Sequence, residues 1–170
     1  MKHLLILAVI ISAPFFTRAQ SYQTLTDRDS SKMLAGFIND SLLKNDSAFK
    51  WFNKAQTIYN PKEKVVKAFA ANKDSTNLII FMGTWCGDSH FIIPRFYKIL
   101  DSAGFNKSRV TLIAVDRTKK DKTNLAAAFN ITNVPTIIVL KKGKETGRVV
   151  EYGDTGRYDE ELASILTKSL

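Results

Sequence analysis

From Asn77 to Gly83 the chain reads Asn-Leu-Ile-Ile-Phe-Met-Gly, a short apolar run bounded by polar residues and a glycine, which predicts a buried strand. The period then changes. Between Ser89 and Leu100 the apolar residues Phe91, Ile92, Phe96, Ile99 and Leu100 fall at helical spacing. A second strand is expected over Arg109–Asp116, on Val110, Leu112, Ile113 and Val115, and a short helix over Asp121–Phe129. Pro135–Leu140 predicts a strand, Lys141–Lys144 a glycine-containing hairpin turn, and Thr146–Tyr152 the partner strand. Arg157–Leu170 closes the chain as an amphipathic helix built on Tyr158, Leu162, Ile165 and Leu166. Upstream, Pro61 can open a helix over Lys62–Asn72, with Val65, Val66, Ala68 and Phe69 on one face.

The segment 20–60 reads differently. Residues 20–30 are polar and expected as an extended lead-in. Met33, Leu34, Phe37, Ile38, Leu42 and Leu43 recur at helical spacing and predict a helix over Ser31–Asn45. The aromatic cluster Phe49, Trp51, Phe52 and Tyr59 is expected to cover one side of the domain. Residues 20–60 are therefore expected as an N-terminal helical extension. From residue 61 to 170 the order helix, strand, helix, strand, helix, strand, strand, helix predicts one α/β domain, a mixed sheet with helices on both faces.

The first 19 residues stand apart. Met1-Lys2-His3 is a short positive start, Leu4–Phe16 is almost entirely apolar, and Thr17-Arg18-Ala19 places a small residue before Gln20. This is the pattern of a secretory signal peptide, too short for a membrane span, so the protein is expected to be exported (periplasmic or secreted) without stable membrane insertion. Loss of Lys2 and Arg18 takes the formal charge from +9 to +7. The cations are scattered, no nucleic-acid motif is present, and a solvated basic surface is the expected consequence.

Cys86 is the only cysteine, so the chain cannot form an internal disulfide. With one cysteine and, after cleavage, His90 alone among histidines, a conventional zinc site is excluded and no cofactor is expected. The thiol falls between a strand's carboxyl end and a helix's first turn, where unpaired N–H groups and the helix dipole favour the thiolate that attacks disulfides. Gly87, Asp88 and Ser89 argue for an exposed turn. The alternative is a buried cysteine serving as a small hydrophobe.

These residues, taken in order, resemble the thioredoxin family. Trp85-Cys86-Gly87 is similar to the start of its Trp-Cys-Gly-Pro-Cys motif, and Pro94 falls where that family kinks its active-site helix. Val134-Pro135-Thr136 resembles its cis-proline loop, Lys141–Lys144 the turn of its terminal hairpin, and Gly153 the glycine beyond it. The resemblance covers residues 61–170 and implies the thioredoxin-like fold, with Cys86 as nucleophile and Trp85, Val134 and Pro135 beside the substrate. Three departures stand out. Ser89 replaces the second cysteine, Asp88 replaces the proline, and Ile80 occupies the position of the family's buried acid.

A Cys-x-x-Ser site can attack a disulfide but cannot release the mixed disulfide by itself. The implied activity is monothiol exchange, as an isomerase or a reductase needing an external resolving thiol. Its partner would be a disulfide- or thiol-bearing protein, or a small thiol. Ser89 is expected to donate a hydrogen bond to the thiolate; Asp88 opposes thiolate formation by its charge, and a protonated His90 would support it. A Cys–His hydrolase lacks a further base and orienting group, and Gly83 stands where a peroxiredoxin carries threonine. The second reading is a non-catalytic binding module in which Cys86 is incidental.

Overall fold

The protein is described by a computed structural model covering residues 21–168. The expected signal peptide (residues 1–19), together with Gln20 and the expected helix end at Ser169 and Leu170, lies outside the described residues. Six strands form one sheet: β1 (Tyr22–Thr26), β2 (Lys32–Ile38), β3 (Thr76–Met82), β4 (Val110–Ala114), β5 (Thr136–Lys141) and β6 (Lys144–Val150). Their order across the sheet is β1-β2-β4-β3-β5-β6. Only β3 and β4 run parallel; the other neighbours are antiparallel, so the sheet is mixed as expected.

The helices are α1 (Asp40–Asn45), α2 (Trp51–Thr57), α3 (Glu63–Asn72), α4 (Gly87–Ser102), α5 (Leu125–Ala128) and α6 (Tyr158–Thr167). Strand alternation sorts the core into two faces. Leu78, Ile80, Met82, Leu112, Ile137 and Val139 point to the face covered by α2, α3, α4 and α6, where Phe69 meets Phe96 edge-on at 5.5 Å. Phe81, Ile113 and Ile138 point the other way, toward Ala126 of α5 and toward Ile131 and Val134 of the loop after it. Ile80 is fully enclosed in the first face. Among the described residues no helix is long and apolar enough to cross a membrane.

The expected helix over Ser31–Asn45 is corrected by the structure. Residues 32–38 are β2, paired with β1 on one side and with β4 on the other, and only Asp40–Asn45 is helical. The polar lead-in is likewise strand β1. Burial explains the misreading: Met33, Leu34 and Ala35 are all buried, so an interior strand covered on both faces shows no alternation. Gly36 adds the local reason. Its φ of +118° is non-helical, and a Cβ there would meet the Ser21 carbonyl oxygen at 2.6 Å.

The expected helix over Asp121–Phe129 shortens to α5. Asp121 is the cause: its carboxylate accepts from the Thr123 N–H and from the Ala126 N–H, both at 2.6 Å. Asn124, at φ +61°, then breaks helical continuity.

Residues 22–60 thus share the sheet and the core of the rest of the chain. Phe52 in α2 is fully buried and tilts against Tyr97 of α4 at 5.9 Å. Phe52→Ala is expected to cost about 3–5 kcal/mol in urea unfolding with a single transition. A cost under about 1 kcal/mol, the usual range for exposed sites, would mean that this segment packs independently.

Candidate active site

β3 ends at Met82, and residues 83–86 turn the chain into α4, with Cys86 as the N-cap in extended conformation (φ −96°, ψ 124°). No side chain caps this helix end, so its first-turn N–H groups and the positive end of its dipole are left beside the sulfur. The thiol is free and half-buried. Its S–H donates to the Val134 carbonyl at 3.2 Å, and the Val134–Pro135 peptide bond is cis. Val134 and Pro135 are both buried, so the loop offers the sulfur its backbone rather than the valine side chain. The Glu151 N–H braces the loop by donating to the Pro135 carbonyl at 2.7 Å, while the Asn133 amide donates to the Glu151 carboxylate at 3.0 Å.

The turn itself is anchored from several directions. The Cys86 N–H donates to the Gly83 carbonyl at 3.0 Å, and the Trp85 indole N–H donates to the Val115 carbonyl at 2.9 Å. The Trp85 ring lies so close over Gly83 that a Cβ there would meet it at 2.7 Å, which restricts the position to glycine. From β2, the Leu34 N–H donates to the buried Thr84 hydroxyl at 3.0 Å. His90 donates from Nε2 to the Thr84 carbonyl at 2.7 Å; a carbonyl only accepts, so this nitrogen carries the hydrogen. Trp51 of α2 stacks on the imidazole at 4.0 Å and 20°.

A cationic group covers the tryptophan. The Arg117 guanidinium sits 4.8 Å above the Trp85 ring, with the Lys119 ammonium at 5.7 Å. Arg117 is held there by a two-point pair with Asp27, at 2.5 and 2.9 Å, from the β1–β2 turn. Only 2% of the Asp27 side chain is exposed. The hydrogen bonds from Arg117 hold the Asp27 carboxyl below its ordinary value, and those to Asp27 raise Arg117 in turn.

The three polar residues after Cys86 take different positions. Ser89 is fully buried, and its hydroxyl accepts from the Gly83 N–H at 3.2 Å, tying the first turn of α4 to the end of β3. Asp88 is half-buried and accepts from the Tyr152 hydroxyl at 3.1 Å. Burial and this carboxylate raise the Tyr152 phenol above its ordinary value. Burial lowers the His90 imidazole below its ordinary value of 6.5, against the opposing effect of its bond to Thr84. His90 is accordingly neutral at pH 7, and its ring nitrogen is engaged with backbone.

The structure therefore brings Trp85, Cys86, Val134 and Pro135 together around the sulfur, with Ser89 and His90 bonded to the backbone of the turn. Sequence reasoning missed Asp27, Trp51, Thr84, Arg117 and Tyr152. The one local signal that could have found any of them is the aromatic directly before Gly153, which is Tyr152. The others act through pairs distant in the chain. A concavity of about 730 Å³ lies away from the thiol, between Tyr22, Phe37, Asn39 and Asp46. Among the described residues no group of three His, Cys, Asp or Glu can hold a metal ion.

Comparison with known proteins agrees with this geometry. The Thioredoxin family model matches residues 57–168. The chain is 34% identical over 91 residues to a thioredoxin of Mycoplasma genitalium, covering 53% of this chain and 80% of that one. It is 35% identical over 109 residues to the TPR repeat-containing thioredoxin TDX of Arabidopsis thaliana, covering 63% of this chain and 27% of that protein. With protein disulfide-isomerase A4 of Bos taurus it shares 32% identity over 97 residues, 57% of this chain and 14% of the longer protein. The chain thus spans under a third of two of these relatives and most of the third. At the level of the family, these likenesses support thiol–disulfide oxidoreductase-type chemistry. A family model over two-thirds of the sequence, on a mixed sheet that sets one thiol at a helix start beside a proline loop, shows that the chain belongs to the thioredoxin family.

Proposed function

We propose that this protein is an exported thioredoxin-family member that performs monothiol thiol–disulfide exchange through Cys86. One observation carries the reading: the sole thiol is half-exposed at the start of α4 and hydrogen-bonded at 3.2 Å to the Val134 carbonyl. The Cys86 thiolate attacks one sulfur of a substrate disulfide, forms a Cys86–substrate bond and expels the other sulfur as thiolate. An external thiolate then attacks the substrate sulfur of that mixed disulfide and returns Cys86 as thiolate. When the resolving thiol is the substrate's own, the net result is isomerisation; when it is a separate thiol, a second equivalent completes the reduction.

Once the sulfur has lost its proton, the Val134 carbonyl no longer receives a bond from it. That carbonyl can then accept a backbone N–H from an extended substrate segment, in the manner of strand addition. Trp85, fixed by Val115 and Gly83, supplies a flat apolar wall. Ser89 supports the turn, in keeping with a site where the second motif position has no redox step. The test is exchange with a scrambled disulfide protein in a thiol buffer. A covalent adduct on Cys86 that added thiol discharges, with recovery of native pairing, is the expected result. If Cys86→Ala retains partner binding and the native protein forms no adduct, the second reading, a binding module, takes its place.

Three further outcomes are expected. Ser89→Cys supplies an internal resolving thiol and should release the adduct without added thiol, at a stability cost of about 1 kcal/mol for the weakened bond to Gly83. Secretion from a competent host should yield a chain beginning at Gln20, measured by intact mass; a full-length product would contradict export. The folded value of His90 lies below its unfolded one, so the neutral ring contributes stability above about pH 6.5 that is lost as pH falls through the folded value. His90→Gln should remove that acid-side loss in urea titrations at a series of pH values, and leave the alkylation rate of Cys86 at pH 7 within about threefold.

A further inference from the structure

The chain leaves β6 through a turn that reaches both walls of the thiol. The turn, Val150 to Gly153, is closed by the Gly153 N–H, which donates to the Val150 carbonyl at 2.9 Å. Glu151, in its second position, has φ +53°. Glycine, asparagine or aspartate is the usual residue for a left-handed conformation there, which is unfavourable for a longer side chain. A residue kept in such a conformation is held by its surroundings.

Glu151 is held at two points. Its N–H donates to the Pro135 carbonyl at 2.7 Å, and its carboxylate accepts from the Asn133 amide at 3.0 Å. The next residue reaches the opposite wall. The Tyr152 hydroxyl donates at 3.1 Å to Asp88, in the first turn of α4, and its ring meets Phe91 at 5.8 Å. Two consecutive residues thus tie the proline loop and the helix start to one turn.

The bonds of the loop leave one carbonyl for the site. That of Asn133 accepts from the Thr136 hydroxyl at 2.7 Å, and that of Pro135 from Glu151. The Val134 carbonyl, between them, has Cys86 as its sole partner among the described residues. Its aim follows from the bonds on either side. Glycine at 151 would suit the turn and keep the N–H bond to Pro135, so what glutamate adds is its grip on Asn133.

We propose that Glu151 is a positioning residue for exchange: through Asn133 its carboxylate fixes the Val134 carbonyl for an extended segment and so favours peptide disulfides over small ones. The assignment rests on the exchange reading and adds to it the substrate class, disulfides carried on a backbone that can pair with the loop. A small disulfide has no backbone N–H to place there and reaches the sulfur without the loop.

The test uses the full mature chain and measures the second-order rate of mixed-disulfide formation at Cys86 with an extended peptide disulfide and with hydroxyethyl disulfide. Glu151→Gly is expected to slow the peptide roughly 5–10-fold, the scale of a lost hydrogen bond, and to leave hydroxyethyl disulfide within about twofold. Its urea midpoint should hold or rise, because the turn then carries the residue it suits. Glu151→Gln keeps an acceptor oxygen and should retain the native peptide rate within about twofold. Asn133→Ala should match the loss in Glu151→Gly, and the double variant should be no slower than either, since the two residues share one contact. Equal slowing with both reagents overturns the assignment. So does an unchanged peptide rate in Glu151→Gly, with or without the lowered urea midpoint that a purely structural role predicts. A native chain that exchanges with neither reagent overturns the exchange reading and this assignment with it, whereas native exchange without the split overturns the assignment alone.

Discussion

The turn of residues 83–86 has to hold one sulfur at a helix start, and no covalent bond in the chain helps it do so. Its geometry comes from hydrogen bonds converging on four consecutive residues. Gly83 is held by Ser89, Thr84 by both Leu34 and His90, Trp85 by Val115, and Cys86 by Gly83 and Val134. Beyond the turn's own Cys86–Gly83 bond, the partners come from four places: Leu34 of β2, Ser89 and His90 of α4, Val115 after β4, and Val134 of the proline loop. A mobile turn would lose most of what the helix dipole and the loop offer the sulfur, since both act over only a few ångströms.

This arrangement gives the N-terminal segment a defined purpose in the architecture. β2 supplies the Leu34 N–H, α2 supplies the Trp51 ring beneath His90, and the β1–β2 turn supplies Asp27, which fixes Arg117 over Trp85. The segment therefore reaches the active turn at three points. It also sets charge. Arg117 and Lys119 lie over Trp85, and the Asp27 carboxylate from the segment neutralises the first of them.

Much of the fold was legible because its signals are local. The apolar run at Asn77–Gly83, the helical period after Ser89 and the Lys141–Lys144 hairpin each appear within two residues of their observed bounds. β2 was not legible, because an interior strand buried on both faces has the composition of a buried helix, and only Gly36 hinted otherwise. In the site, the Trp85-Cys86-Gly87 and Val134-Pro135 pairs could be read from short motifs. The Asp27–Arg117 pair, 90 residues apart, could not, since nothing in a local window marks either residue as the other's partner. His90 shows the same limit. Its position suggested a partly exposed helix residue or a cation near sulfur; it is a half-buried helix residue, lowered by burial, stacked on Trp51 and bonded to the turn.

The proposed exchange requires that Cys86 capture partners, since no second thiol in the chain is there to free them. The most direct measurement is the state of Cys86 in the compartment where the protein resides, after acid quenching and alkylation, separated on a non-reducing gel and read by mass spectrometry beside a Cys86→Ala control. A set of thiol-sensitive adducts on Cys86, absent from the control, is the expected result. A thiol found wholly free under oxidising conditions, with a gel pattern matching that of the control, would contradict it.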